Sequence, residues 1–199
     1  MNHELYMRRC LELALKGLGS VSPNPLVGCV IVHNGNIIGE GYHRVYGQAH
    51  AEVNAVASVK DTSLLSKSTV YVNLEPCNYT GNTPPCADLL LRHQVKQVVV
   101  CNQDPNPKID GGGIDKLRES GVDVVTGVLE SEGEQLNRRF FTYHREKRPY
   151  VILKWAESLD GNLDIKRQNN EEGVHWITTP SAQIYTHRWR TEETAILVG

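Results

Sequence analysis

Apolar positions in this chain fall into short runs divided by turn signals, and their spacing switches between helical and strand-like. Met7, Leu11, Ala14, Leu15 and Leu18 recur at the spacing of one helical face, and Gly17 and Gly19 offer a stop. Val27 to Val32 is a strand-like run, followed by His33-Asn34-Gly35-Asn36 and then Ile37-Ile38. An Asn-Gly step between two such runs predicts a tight hairpin. Val53, Val56 and Ala57 predict a second helix, and the β-branched and aromatic run Thr69 to Leu74 predicts a buried strand ending at Glu75-Pro76. Leu89 to Leu91 falls in a third helix and Val95 to Val100 in a strand. Ile114, Leu117 and Arg118 predict another helix, Val122 to Val125 another strand, and Leu129 to His144 one long, charge-laced helix.

This order predicts an α/β fold of three layers, α/β/α, around a mixed sheet, antiparallel at the hairpin and parallel after it. A new unit begins near Arg148-Pro149, so residues 1–147 and 148–199 read as separate parts. In the second part Tyr150 to Trp155 and Ala195 to Val198 are strand-like, and Thr179-Pro180-Ser181 looks like a helix start. About 50 residues is small for an independent core, so this part is expected to be the opening of a second domain.

Composition narrows the function classes. With 22% charged and 40% hydrophobic residues the balance is that of an ordinary globular protein. The net charge of −2 supplies no basic field for gripping a nucleic-acid backbone, and no nucleic-acid partner is expected. The N-terminal segment MNHELYMRRCLELALKG lacks the apolar core of a signal peptide, and no run reaches the roughly 18 apolar residues that span a membrane. Five cysteines, an odd number, with no export signal point to reduced thiols in the cytoplasm.

Thiols in that setting pack in the core or bind metal, and two of them are placed for metal. His50-Ala51-Glu52 precedes the second predicted helix, Pro76-Cys77 follows the buried strand, and Pro85-Cys86 immediately precedes the third helix. One imidazole and two thiolates form a borderline-soft set suited to Zn2+, and three protein ligands leave the fourth tetrahedral position open for catalysis. His50 and Glu52 are two apart and can face one metal only at a helix entrance. Glu52 is then the expected proton carrier, accepting a proton from water and passing it to a ring nitrogen and a departing amine. A His-x-Glu with Pro-Cys and a later Cys is the pattern of zinc-dependent base deaminases, though eight residues here separate the thiolates. A purely structural zinc would want a fourth ligand, for which His93 is the candidate. Cys10, Cys29 and Cys101 read as core residues.

These residues sit within a longer series: Ser22-Pro23-Asn24-Pro25-Leu26-Val27-Gly28-Cys29, Gly39-Glu40-Gly41-Tyr42-His43, His50-Ala51-Glu52-Val53, Leu74-Glu75-Pro76-Cys77, Thr83-Pro84-Pro85-Cys86, Gln103-Asp104-Pro105-Asn106-Pro107 and Glu134-Gln135-Leu136-Asn137. The series closely resembles the bifunctional riboflavin-biosynthesis deaminase/reductase family of bacteria, over the whole chain. The resemblance implies a cytidine-deaminase-like fold and a pyrimidine ribosyl phosphate as substrate, whose 2-amino group is replaced by water. By the same resemblance Asn24, His43, Asp104 and Asn106 contact that substrate. Leu153-Lys154, Ser158-Leu159-Asp160-Gly161 and Trp176-Ile177-Thr178 resemble the start of the family's dihydrofolate-reductase-like, NADPH-dependent half. There Ala156 and Trp176 would contact the cofactor and Arg190 the reductase substrate. Because the family's remaining cofactor segments would follow Gly199, no reductase activity is expected from this chain, and a homo-oligomer is left open. One departure stands out: where the family usually has a histidine and a basic residue between the cysteines, this chain has Tyr79 and Asn82. Arg44 and Lys108 are candidate substitutes for the phosphate contact. A deaminase of another base and a catalytically silent zinc module are the alternative readings.

Overall fold

The computed structural model of the protein describes residues 2–80, 84–107, 109–164 and 173–198. The chain divides into two compact units, Met1–Tyr150 and Val151–Gly199.

In the first unit the predicted hairpin forms between β1 (Gly28–His33) and β2 (Asn36–Tyr42). Asn34 and Gly35 both take positive φ, 49° and 78°, the twist that a two-residue hairpin loop needs. β1 also pairs antiparallel with β3 (Thr69–Leu74), which pairs parallel with β4 (Gln97–Asn102), and β4 pairs parallel with β5 (Asp123–Thr126). The result is a mixed five-stranded sheet in the order β2-β1-β3-β4-β5. β3, at its centre, is buried at every position, as its largely β-branched and aromatic run favours.

Helices cover both faces. Val70, Val72, Val98 and Val100 pack against Ala51 and Ala55 of α2 (Ala51–Ser58), Ala87 and Leu90 of α3 (Cys86–Arg92) and Leu117 of α4 (Gly112–Glu119). On the other face Val30, Val32, Tyr71 and Val99 pack against Tyr6, Met7, Cys10 and Leu13 of α1 (His3–Leu15). Three layers around a mixed sheet are thus present, as expected.

Three details differ from the pattern-based reading. The buried stripe of α1 is Tyr6, Met7, Cys10, Leu13 and Ala14, whereas Leu15 is exposed. The predicted helix Leu129 to His144 is broken into α5 (Glu130–Leu136) and α6 (Arg138–Glu146). The break falls at Asn137, whose side chain turns inward to bind the backbone of Leu26. A 3-10 helix at Thr62–Lys67, which no periodicity announced, leads into β3.

In the second unit α7 (Pro180–Glu192) begins where predicted, with the Thr179 hydroxyl accepting from the Ala182 N–H and proline in the first turn. The segments read as strands, 150–155 and 195–198, are irregular here and, among the described residues, pair with nothing in a sheet. None of the residues of α7 is buried. No helix among the described residues is long and apolar enough to cross a membrane.

Candidate functional site

The parallel half of the sheet brings strand ends and helix starts to one edge, and the predicted metal ligands gather there. His50 is the N-cap of α2 and keeps extended backbone, φ −71° and ψ 167°, so its ring and the side chain of Glu52 in the first turn can face the same point. Cys77 lies just past the end of β3, and Cys86 is the first residue of α3 behind Pro85. Backbone bonds staple the two cysteines together: Ala87 N–H donates to the Cys77 carbonyl at 3.1 Å and Cys86 N–H to the Cys77 sulfur at 3.4 Å.

His50 Nδ1 lies 3.3 Å from Cys86 Sγ and 3.6 Å from Cys77 Sγ. Tetrahedral zinc with ordinary Zn–S and Zn–N bonds would set each nitrogen–sulfur pair about 3.5 Å apart. The donor set and its spacing therefore fit zinc, with Nδ1 as the imidazole ligand atom. Among the described residues this is the cluster of His, Cys, Asp or Glu whose ligand atoms all come within 4.8 Å of one another. His93 is not part of it. It is the C-cap of α3, a helix length of about 10 Å away from Cys86 at the other end, so among the described residues His93 does not complete a four-ligand structural site.

The electrostatics follow from burial and packing. Cys77 is the more acidic thiol, because it accepts hydrogen bonds from the Cys86 thiol, from His50 and from the Cys86 N–H. The Cys86 thiol is held up, by donating to Cys77 and by burial. The His50 imidazole is pushed up chiefly by its hydrogen bond with Cys77. Burial, with the charge of Cys77 added, raises the Glu52 carboxyl to about 7.

A cavity of about 300 Å³ opens onto this cluster, a volume at the lower end of small-molecule pockets. His50, Glu52 and Cys77 line it, together with Asn24, His43, Asp104 and Asn106, so the residues implied by resemblance and those read from spacing share one wall system. His43 is buried, and its Nδ1 lies 3.1 Å from the carbonyl of Ala49. A carbonyl only accepts, so Nδ1 carries the proton and Nε2 accepts from the Asn24 amide at 3.1 Å. Burial lowers the pKa of His43, in keeping with a neutral ring. The side-chain oxygen Asp104 Oδ1 accepts from Asn106 N–H at 2.8 Å.

Several lining residues carried no sequence signal. Tyr46, Gln48, Ile109 and Phe140 are among them, and Phe140 arrives from α6, far along the chain. Glu75 lines the cavity too, a residue of the Leu74-Glu75-Pro76-Cys77 motif to which the sequence assigned no role. Tyr79 lines the mouth and is 43% exposed. Arg44 lies over the Tyr42 ring at 5.6 Å instead. Asn82 and Lys108 lie outside the described residues. Among the described residues, those lining the cavity include no lysine or arginine. In the second unit Ala156 and Trp176 occupy irregular segments and Arg190 the last turn of α7.

Comparison with known proteins agrees with this geometry. Residues 1–102 match the cytidine and deoxycytidylate deaminase zinc-binding region, and residues 149–199 match the RibD C-terminal domain. The chain is 47% identical to the riboflavin biosynthesis protein RibD of Actinobacillus pleuropneumoniae over 98% of its own length and 50% of that protein. It is 43% identical to the Escherichia coli RibD over 100% of its length and 53% of that protein. Among solved structures, Acinetobacter baumannii RibD superposes with a TM-score of 0.88 at 40% identity, covering 97% of this chain and 52% of that one. A diaminohydroxyphosphoribosylaminopyrimidine deaminase/5-amino-6-(5-phosphoribosylamino)uracil reductase of Thermotoga maritima superposes at 0.85 with 43% identity, over 94% of this chain and 52% of that one. The chain spans about half the length of the relatives it matches.

Proposed function

The chain belongs to the cytidine and deoxycytidylate deaminase zinc-binding family as a RibD-type deaminase followed by part of a RibD C-terminal domain, and from that premise we propose that it hydrolyses the amino group of the riboflavin-pathway pyrimidine. The substrate on this reading is 2,5-diamino-6-ribosylamino-4(3H)-pyrimidinone 5′-phosphate, a compound of the class for which the Thermotoga maritima deaminase is named. The products are the corresponding pyrimidinedione phosphate and ammonia. The observation that carries the reading is the meeting of His50 Nδ1, Cys77 Sγ and Cys86 Sγ beside a buried Glu52 on the wall of a ligand-sized cavity.

His50, Cys77 and Cys86 are the proposed zinc ligands. When bound, the metal acts as a Lewis acid that brings the pKa of water down to about 7. Glu52 takes the proton from the attacking water as oxygen bonds to C2 of the ring, and passes it to the adjacent ring nitrogen. It then carries the second water proton to the exocyclic nitrogen, so that the C–N bond breaks with ammonia as the leaving group. Burial, which raises the Glu52 carboxyl above its ordinary range, makes it a readier proton carrier than an exposed glutamate. Since the neutral His43 fixes the Asn24 amide through its NH2, the Asn24 carbonyl oxygen is the atom left for a donor on the substrate. Asp104 and Asn106 complete the proposed substrate contacts. Ala156 and Trp176 are proposed to face NADPH, and Arg190 the reductase substrate, in the RibD C-terminal part.

The test is ammonia release from the diaminopyrimidinone ribosyl phosphate, run with and without a zinc chelator and beside its dephosphorylated form. Chelator-sensitive release favouring the phosphorylated compound is expected. The lack of a basic residue among the described cavity-lining residues supports a second reading, deamination of an uncharged heterocycle. Equal or faster release from the dephosphorylated compound would favour that one.

A further inference from the structure

Glu75 is buried at the end of β3, two residues before Cys77, and both of its carboxylate oxygens face backbone donors. Oε2 accepts from Asp104 N–H at 3.1 Å and Gly111 N–H at 3.0 Å, while Oε1 accepts from Gly113 N–H at 2.8 Å and Ile114 N–H at 3.2 Å. Four bonds use the full acceptor capacity of a carboxylate, so none is left for a ligand in the cavity.

The four amides bracket the connection from β4 to α4, the stretch that supplies Asp104, Asn106 and Ile109 to the cavity. Further ties lie within the stretch itself. Asn106 N–H bonds to Asp104, the Ile109 and Asp110 N–H groups bond to the Asn106 carbonyl at 2.8 and 3.0 Å, and Gly112 N–H bonds to the Ile109 carbonyl at 2.7 Å. Positive φ at Asp110 and Gly111 turns the Gly111 amide inward toward Glu75. The start of α4 presses on the same strand end, since a Cβ at Gly113 would run into the Pro76 carbonyl oxygen.

A helix start is ordinarily capped by its own N-cap side chain. The N-cap of α4 is Gly111, which has no side chain to offer, and the first-turn amides are satisfied from β3 instead. A local cap would stabilise α4 equally well without linking it to anything. The remote one ties the Asp104–Asn106 segment to the strand end that carries Cys77.

We propose that Glu75 is a positioning residue for the deaminase, setting the place of Asp104 and Asn106 relative to the metal-ligand segment without touching the reacting atoms. This rests on the deaminase reading above. In Glu75→Gln an amide NH2 replaces one oxygen and meets two N–H donors head-on, and Glu75→Asp, which keeps the charge on a shorter stem, is the milder second variant. In the zinc-loaded full chain, well below the melting temperature, Glu75→Gln is expected to bind the parent's amount of zinc, raise KM at least tenfold and change kcat much less. Glu75→Asp is expected to fall between. Amide exchange, which needs no substrate, is expected to speed at least tenfold at Asp104, Gly111, Gly113 and Ile114 and to stay unchanged at Val72 and Val99. A lowered melting temperature with parent KM, or unchanged loop exchange, would overturn the proposal. The deaminase reading fails separately, on the parent's own ammonia release. If the parent acts on another heterocycle, the same KM ratio read on that compound decides for Glu75.

Discussion

Asn137 grips both backbone groups of Leu26: its Oδ1 accepts from the Leu26 N–H at 2.8 Å and its Nδ2 donates to the Leu26 carbonyl at 2.9 Å. Asn73 donates to the same carbonyl at 3.0 Å and accepts from Gly28 N–H at 2.7 Å. Two buried amides thus do for this segment what a neighbouring strand would do, just downstream of Asn24. Asn137→Ala strips the Leu26 N–H of its partner in a buried place, at roughly 1–3 kcal/mol for such a group. A fall of that size in unfolding free energy, measured by urea titration, is expected, with weaker substrate binding because Asn24 loses its support.

Metal removal should act on chemistry and stability together. Cys86→Ser or His50→Ala leaves two ligands, and zinc measured by emission spectroscopy is expected to drop from one per chain to near none. Ammonia release disappears with it. Zinc added back should rescue chelator-stripped parent and neither variant.

Glu52→Gln separates the proton carrier from the metal. The ligands are untouched, so zinc content is expected to match the parent. Ammonia release should fall by about 10²–10⁴, the usual worth of a positioned acid–base group. Parent-like turnover in this variant would remove Glu52 from the mechanism.

Asp104 supplies a pH dependence with a defined sign. Burial first, and the charges of Glu75, Cys77 and Asp110 after it, raise its carboxyl from 3.8 to about 7, against the hydrogen bond from Asn106. The folded state therefore holds the proton more tightly than the unfolded one, and this group's contribution to stability declines as pH rises through that window, then levels off. Asp104→Asn removes the titration and keeps an oxygen for the Asn106 N–H. Relative to the parent, the variant should gain stability from about pH 4 to about pH 8, on the order of a few kcal/mol at ~1.4 kcal/mol per tenfold change in proton affinity. Paired urea titrations at the two pH values measure it; a constant difference would mean an ordinary carboxyl.

Gly28→Ala tests how α1 meets the sheet. A Cβ there would collide with the carbonyl oxygen of Cys10 and sit 2.9 Å from the Ala14 nitrogen, and both are backbone atoms that cannot swing aside. The helix must shift, at a cost of roughly 1–3 kcal/mol. A lower melting temperature with zinc retained is the expected result.

What could be read in advance was whatever a local pattern decides. The Asn34-Gly35 turn and the mostly apolar β3 each follow from side-chain chemistry within a few residues, and the His50, Cys77 and Cys86 cluster follows from residue types placed at a helix entrance, a strand end and a helix start. The break at Asn137 was invisible because its cause, Leu26, is 111 residues away. The buried face of α1 was misjudged because Leu11 and Leu15 lie on the same helix as Tyr6 and Cys10, and only the sheet decides which stripe is covered. Glu75 was legible as a residue and not as a role, since its partners are amides, which a sequence does not distinguish. The strand-like runs 150–155 and 195–198 show the converse, for among the described residues neither pairs with another strand.

The two thiols proposed as ligands sit at fixed points of the fold, for Cys77 follows β3, Cys86 opens α3, and the Ala87 and Cys86 amides join them. The eight residues from 78 to 85 are in that sense a cassette inserted between two fixed posts. Within that stretch Tyr79 lines the cavity, so a substitution there changes what the cavity admits without touching the backbone bonds that space the two thiols. For an engineer it is the stretch to randomise first.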